Sequence, residues 1–151
     1  MTEAITTLVF GFASIGVSIS WLAWRAISLD VTSSNRLVIE LRLAQVTALL
    51  LVLAAGVYIG TAVIDGSSTG AGLDIALAIG FFVIAALATT WEPSRALTTL
   101  AWAWCAHGMV DLGHVVGVLP STLLPTWYPT ACAIYDVCIA GACYLPVFRR
   151  S

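Results

Sequence analysis

The sequence contains no lysine. That absence excludes a retinal or pyridoxal Schiff base, the lysine of a nucleotide-binding P-loop, and lysine-based catalysis. Charge of either sign is scarce. Only 9% of the 151 residues are charged, where a soluble domain carries roughly a quarter. There is no CxxC pair among Cys105, Cys132, Cys138 and Cys143, so the cysteines are expected to act as small apolar residues. No basic patch offers itself to nucleic acid. The opening "MTEAITTLVF" has no basic flank, and the apolar run it begins is longer than the roughly 7–15 residues of a signal-peptide core. It is expected to be a retained first span. "DGSSTGAGLD" lacks the spacing of a calcium loop, its serines match no nucleophile elbow, and it is expected to be a solvated turn.

What is present in quantity is apolar: 60% of the residues are hydrophobic, and the mean hydropathy is +1.01. A bilayer-crossing helix needs about 20 such residues. The apolar runs at 4–28, 37–64, 73–91, 94–118 and 128–148 predict an all-α, five-span bundle with no further domain. Pro93 and Pro129 suit the first turns of the fourth and fifth helices. "LPSTLLPTWYP" closes the last loop. "RLVIELRL" places Arg36 and Glu40 four residues apart, and its first turns are expected to project into water. Glu92 and Arg95 are expected to pair at the interface.

The arginines orient the bundle. In a five-span chain Arg25, Arg36, Arg42, Arg95, Arg149 and Arg150 all fall on one side. By the positive-inside rule the N-terminus is then outside and the C-terminus inside, as in a bacterial cytoplasmic membrane. Trp21, Trp24 and Trp91 fall near the inner interface, and Tyr58, Trp127 and Tyr128 near the outer one, as an aromatic belt would. Trp102 and Trp104 lie deeper and are expected to pack. Gly11, Ser14 and Ser18, together with Gly56 and Gly60, form small-residue stripes that would let helices approach closely.

Against this background the segment "AHGMVDLGHVVG" stands out. His107, Asp111 and His114 share one face of the fourth helix. Counted back from Leu119 they lie roughly 18, 12 and 8 Å deep. Asp136, about 10 Å into the fifth helix, is expected at the level of Asp111 and His114. Tyr128, Cys132, Tyr135 and Asp136 approximate its facing side. A buried acid at the centre of a span costs on the order of 2.5–3.5 kcal/mol. Two acids call for protonation, a histidinium partner, a bound cation or water.

Asp111 and His114 at i,i+3 form a carboxylate–histidine pair of the kind that builds metal sites in helical bundles. The expected ligands are Asp111, His114 and Asp136, with His107 deeper and Cys132 and Tyr135 as possible additions. Imidazole and carboxylate suit zinc, iron or copper. The same groups would also serve a small transporter or proton-coupled protein, with Asp111 and Asp136 as relay carboxylates. They could equally be structural polar contacts in an accessory subunit that meets a membrane-protein partner or a second copy.

"HGMVDLGH" followed by "WYPTACAIYD" resembles the C-terminal helix pair of a family of small bacterial integral-membrane proteins of unknown function. These carry a His-x-x-Trp-Asp-x-x-His helix, an aromatic–proline loop and a further intramembrane Asp. His107, Asp111, His114 and Asp136 match that pattern over about the last third of the chain, and Val110 stands in the tryptophan position. The resemblance implies a multi-pass membrane protein and names no activity.

The arginine distribution yields a direct expectation. A reporter fused after Ser151 should be active in the cytoplasm and one fused before Met1 outside it. An externally active C-terminal reporter would end the five-span arrangement.

Overall fold

The computed structural model describes residues 3–65, 70–119 and 127–150, and these form five helices with no strand among them. They are α1 (Glu3–Ser28), α2 (Ser34–Asp65), α3 (Ala71–Ala88), α4 (Pro93–Val115) and α5 (Trp127–Phe148). Four of them, α1, α2, α3 and α5, are long and apolar enough to cross a membrane. The 23 residues of α4 would also be long enough, at about 35 Å, but His107, Asp111 and His114 reduce its apolar character. The closing loop at 120–126 and the tip of the polar turn at 66–69 lie outside the described residues.

The helices start where the sequence signals say. Pro93 opens α4, and Pro129 lies in the first turn of α5. Their ends are more informative. α3 stops at Ala88, where the hydroxyls of Thr89 and Thr90 donate to the carbonyls of Ala86 and Leu87 and Pro93 follows. α4 stops at Val115 because Gly117 adopts a left-handed φ of 75°. Gly117 then donates to the His114 carbonyl and Val118 to the Gly113 carbonyl, the paired bonds of a Schellman motif.

The interior is an apolar core that also encloses charged and polar side chains, and the outer surface is apolar. Arg36, Glu40, Asp74, His107, Asp111, His114 and Asp136 are buried, whereas Phe10, Val17, Met109 and Ile134 are exposed. Trp104 is buried as expected, but Trp102 points outward at 72% exposed. Two residues apart on a helix is about 200° of rotation, so both could not face the core. Within the bundle α4 packs most extensively on α5 and α2 on α3, and α2 touches all four other helices. Among the described residues, α1 and α4 do not pack on each other.

The small-residue stripes do not make the close approaches. A Cβ at Gly11 or Gly60 would meet nothing within 4 Å. The tight contacts are elsewhere: at Gly16, against the Tyr135 ring, and at Gly108, against Asp136 and the Ala133 carbonyl.

One end of the bundle carries the arginines, and there the expectation of a water-exposed first turn of α2 is overturned. Arg36 and Glu40 are each 1% exposed and bonded at 2.8 Å. Arg36 also donates to the carbonyls of Pro146, at 2.8 Å, and Leu29, at 3.4 Å. Arg150 closes the cluster on the other oxygen of Glu40. A guanidinium thus satisfies carbonyls that the helix end leaves unpaired, and its charge suits the negative end of the α5 dipole. Nearby, Arg149 donates to the Ile27 carbonyl at the end of α1. In the exposed α1–α2 turn, Thr32 donates its N–H and hydroxyl to Asp30, which holds that carboxyl below the usual carboxylate range. The expected Glu92–Arg95 pair is replaced. Arg95 lies 4.3 Å over the Trp91 ring, and Glu92 accepts from Ser94.

Glu40 is therefore the shared acceptor of two arginines. Glu40→Ala should destabilise the bundle by about 3–5 kcal/mol, the cost of stripping one partner from a buried ion pair. Unfolding in detergent measures this, and an unchanged midpoint would count against the cluster.

Candidate metal centre

The arc of α4 that carries its polar side chains is narrow. At 100° per residue Asp111 stands about 40° to one side of His107 and His114 about 20° to the other. Gly108 lies further round on the Asp111 side, and α5 crosses there. A Cβ at position 108 would sit 3.3 Å from that of Asp136. The missing side chain lets the Asp136 carboxylate come alongside α4.

Asp136 Oδ2 accepts from His107 Nδ1 at 2.8 Å, and the same nitrogen is 3.8 Å from Asp111 Oδ2. One donor atom from each of these three buried residues lies within 4.8 Å of the others. In a tetrahedral site with bonds of about 2.0–2.1 Å, ligand atoms stand about 3.4 Å apart. The observed separations bracket that figure, and small side-chain adjustments would close the set around an ion. An ion bound at Nδ1 would take the place of the proton shared between His107 and Asp136.

The surroundings hold these groups in place. Tyr58 of α2 donates its hydroxyl to Asp111 Oδ1. The His107 ring is boxed by Phe81, Trp104 and Tyr58, at centroid distances of 5.0, 6.0 and 5.8 Å. Asp111 Oδ2 and His107 Nε2 have no hydrogen-bond partner among the described residues.

His114, expected to join Asp111 and Asp136, is placed differently. Its Nε2 lies 3.4 Å from Asp74 Oδ1 on α3, and its ring stacks on Tyr58 at 5.1 Å. Two causes act together. Rotation turns His114 away from α5, and the register differs from the depth count. Because α4 ends at Val115 rather than near residue 119, His107 is about 12 Å from that end. Asp136 is about 13 Å from the start of α5 and therefore meets His107. Gly117, a ready helix terminator, was the available signal.

Two contributors were missed. Tyr58 was assigned to the interfacial belt, yet it is 6% exposed and bonded inward. Asp74 was assigned to the polar turn, yet it lies in the first turn of α3, where an acid suits the helix dipole. Of the additional candidates, Tyr135 donates to the Phe12 carbonyl at 3.0 Å and ties α5 to α1. Cys132 is not in the group of three but lines the space before it. The four cysteines are free, and Cys138 is exposed on the helix surface.

Where α1 and α4 fail to meet, a cavity of about 450 Å³ remains. His107, Asp111 and Asp136 form one wall, with Tyr58, Tyr128 and Cys132 beside them. Val9, Phe12 and Ala13 of α1 face them across it.

No protein-family model, curated protein or solved structure matches the chain.

The Tyr58 hydroxyl is the one protein donor to Asp111 among the described side-chain hydrogen bonds. Tyr58→Phe should lower stability by about 1.5–3 kcal/mol, the usual contribution of a hydrogen bond to a charged group. Thermal unfolding in detergent, compared with wild type, measures it. An unchanged stability would mean that Asp111 does not depend on this bond.

Proposed function

We propose that the chain is a five-span protein of the bacterial cytoplasmic membrane, N-terminus outside and C-terminus inside, that binds a transition metal in its outer half. The ligands are His107, Asp111 and Asp136. The observation that carries this reading is the convergence of one imidazole and two carboxylates, all buried, from two helices, with one ligand atom of each within 4.8 Å of the others. In hydrocarbon two adjacent carboxylates call for compensating positive charge, and a divalent cation supplies it for both. Imidazole and carboxylate suit zinc, iron or copper. Three protein ligands leave a coordination position open, as in metal centres that accept a further ligand.

A second reading draws on Asp74 and His114. Asp74 pairs with His114, and Tyr58 touches both His114 and Asp111. Titratable groups therefore run from the arginine-free end of the bundle to the three central residues, as a proton-coupled transporter would require.

Metal content separates the two. Protein purified without chelator and dialysed against zinc, iron and copper in turn should retain one of them at a single ion per chain. His107→Ala, Asp111→Asn and Asp136→Asn should each fall to background, and His114→Ala should keep the ion. Background metal in the wild type would remove the metal reading and leave the relay.

A further inference from the structure

The cavity in front of the three ligands has its own chemistry. Its volume of about 450 Å³ lies within the roughly 300–1,000 Å³ of small-molecule sites. Donor and acceptor groups are concentrated on one wall, and Val9, Phe12, Ala13, Ala54, Val57 and Ala131 make much of the remainder apolar. Val9 and Trp127, each 49% exposed, line it toward the arginine-free end, and the lining residues Ala13 and Ala131 are exposed on the outer surface as well. From Trp127 to Asp136 the axial distance is about 13 Å. A ligand that fills this space is therefore elongated, apolar along its length and polar at its inner tip.

The charge of the inner tip follows from the ligand set. Two carboxylates, a neutral imidazole and a divalent ion sum to zero. A charged head added to that neutral centre would be buried without a counter-ion, which is costly in an apolar site. An uncharged oxygen avoids that cost and can fill the open position. A hydroxyl does more than a carbonyl, since it can donate its hydrogen to a carboxylate oxygen while its own oxygen faces the ion. The surrounding aliphatic and aromatic side chains accommodate the rest of the molecule.

We propose that the cavity binds a membrane-dissolved alcohol, its hydroxyl on the metal held by His107, Asp111 and Asp136 and its apolar body along α1 and α5. The proposal rests on the metal reading above and names the class of molecule that the metal meets.

Cobalt(II) gives a readout at the metal itself, because its visible spectrum changes with coordination. Protein in phosphatidylcholine nanodiscs is loaded with cobalt and titrated with decan-1-ol, decane, decanoate and decylamine. The expected result is a saturable spectral change with decan-1-ol, none with decane, and at least tenfold weaker responses to the two charged molecules. Ala54→Phe and Ala131→Phe narrow the cavity without touching a ligand residue. Both should keep their cobalt, and the alcohol response should weaken at least tenfold in at least one. The proposal is overturned if cobalt is bound and decan-1-ol leaves its spectrum unchanged. It is also overturned if both narrowed variants respond like the wild type, or if a charged molecule matches the alcohol. If the wild-type chain retains no cobalt, zinc, iron or copper, the metal reading fails and the alcohol site falls with it. Retained metal without an alcohol response leaves the metal reading standing alone.

Discussion

Where α4 and α5 cross, residue 108 has no side chain, and a Cβ there would crowd Asp136 at 3.3 Å. The group of His107, Asp111 and Asp136 depends on this approach. It brings the Asp136 carboxylate to 2.8 Å from His107, and His107 in turn stands beside Asp111. In a bilayer, apolar side chains gain little by leaving lipid for the protein interior, so helices associate through close packing and polar contacts. Gly108 supplies the first and the His107–Asp136 bond the second. Both lie within the extensive α4–α5 interface.

A second set of charges closes the opposite end. Arg36, Glu40 and Arg150 join α2 to the C-terminal end of α5, and Arg36 also reaches the carbonyl of Leu29 just beyond α1. The two clusters differ in kind. At the arginine-rich end, two guanidinium groups share one carboxylate, and the carbonyls of Pro146 and Leu29 take up the further donors of Arg36. Around His107, Asp111 meets Tyr58 and Asp136 meets His107, and Asp111 Oδ2 and His107 Nε2 have no hydrogen-bond partner among the described residues. In the first cluster Arg36 and both oxygens of Glu40 are engaged, and the Nε of Arg150 is the unpaired donor among its described atoms. The second leaves ligand capacity unused, which is the property expected of a binding centre.

Much of the fold was legible because apolar length is a strong signal: the predicted runs overlap all five helices, with ends displaced by about three residues at most. The identities of the central polar residues were also legible, since an acid or imidazole in an apolar run is conspicuous. Their grouping was not. It depends on where α4 stops, and Gly117 shortens that helix enough to exchange His114 for His107 as the neighbour of Asp136. Tyr58 was hidden for another reason. A tyrosine near the end of a span has the same composition signature whether its hydroxyl faces water or a buried carboxylate. Arg36 was misplaced likewise, because an i,i+4 ion pair reads as a solvated helix face until another helix end is found over it.

α1 meets α2 and α5 but not α4 among the described residues. The helix that bounds the cavity opposite His107 and Asp111 is therefore not the one that bears them. Val9, Phe12 and Ala13 contribute shape and no ligand atoms. Selectivity by size is thus separable from selectivity by chemical affinity. Substitutions along α1 can redraw the outline of what fits while the donor set on α4 and α5 stays as it is, so a common centre could be adapted to guests of different girth by changes in one helix.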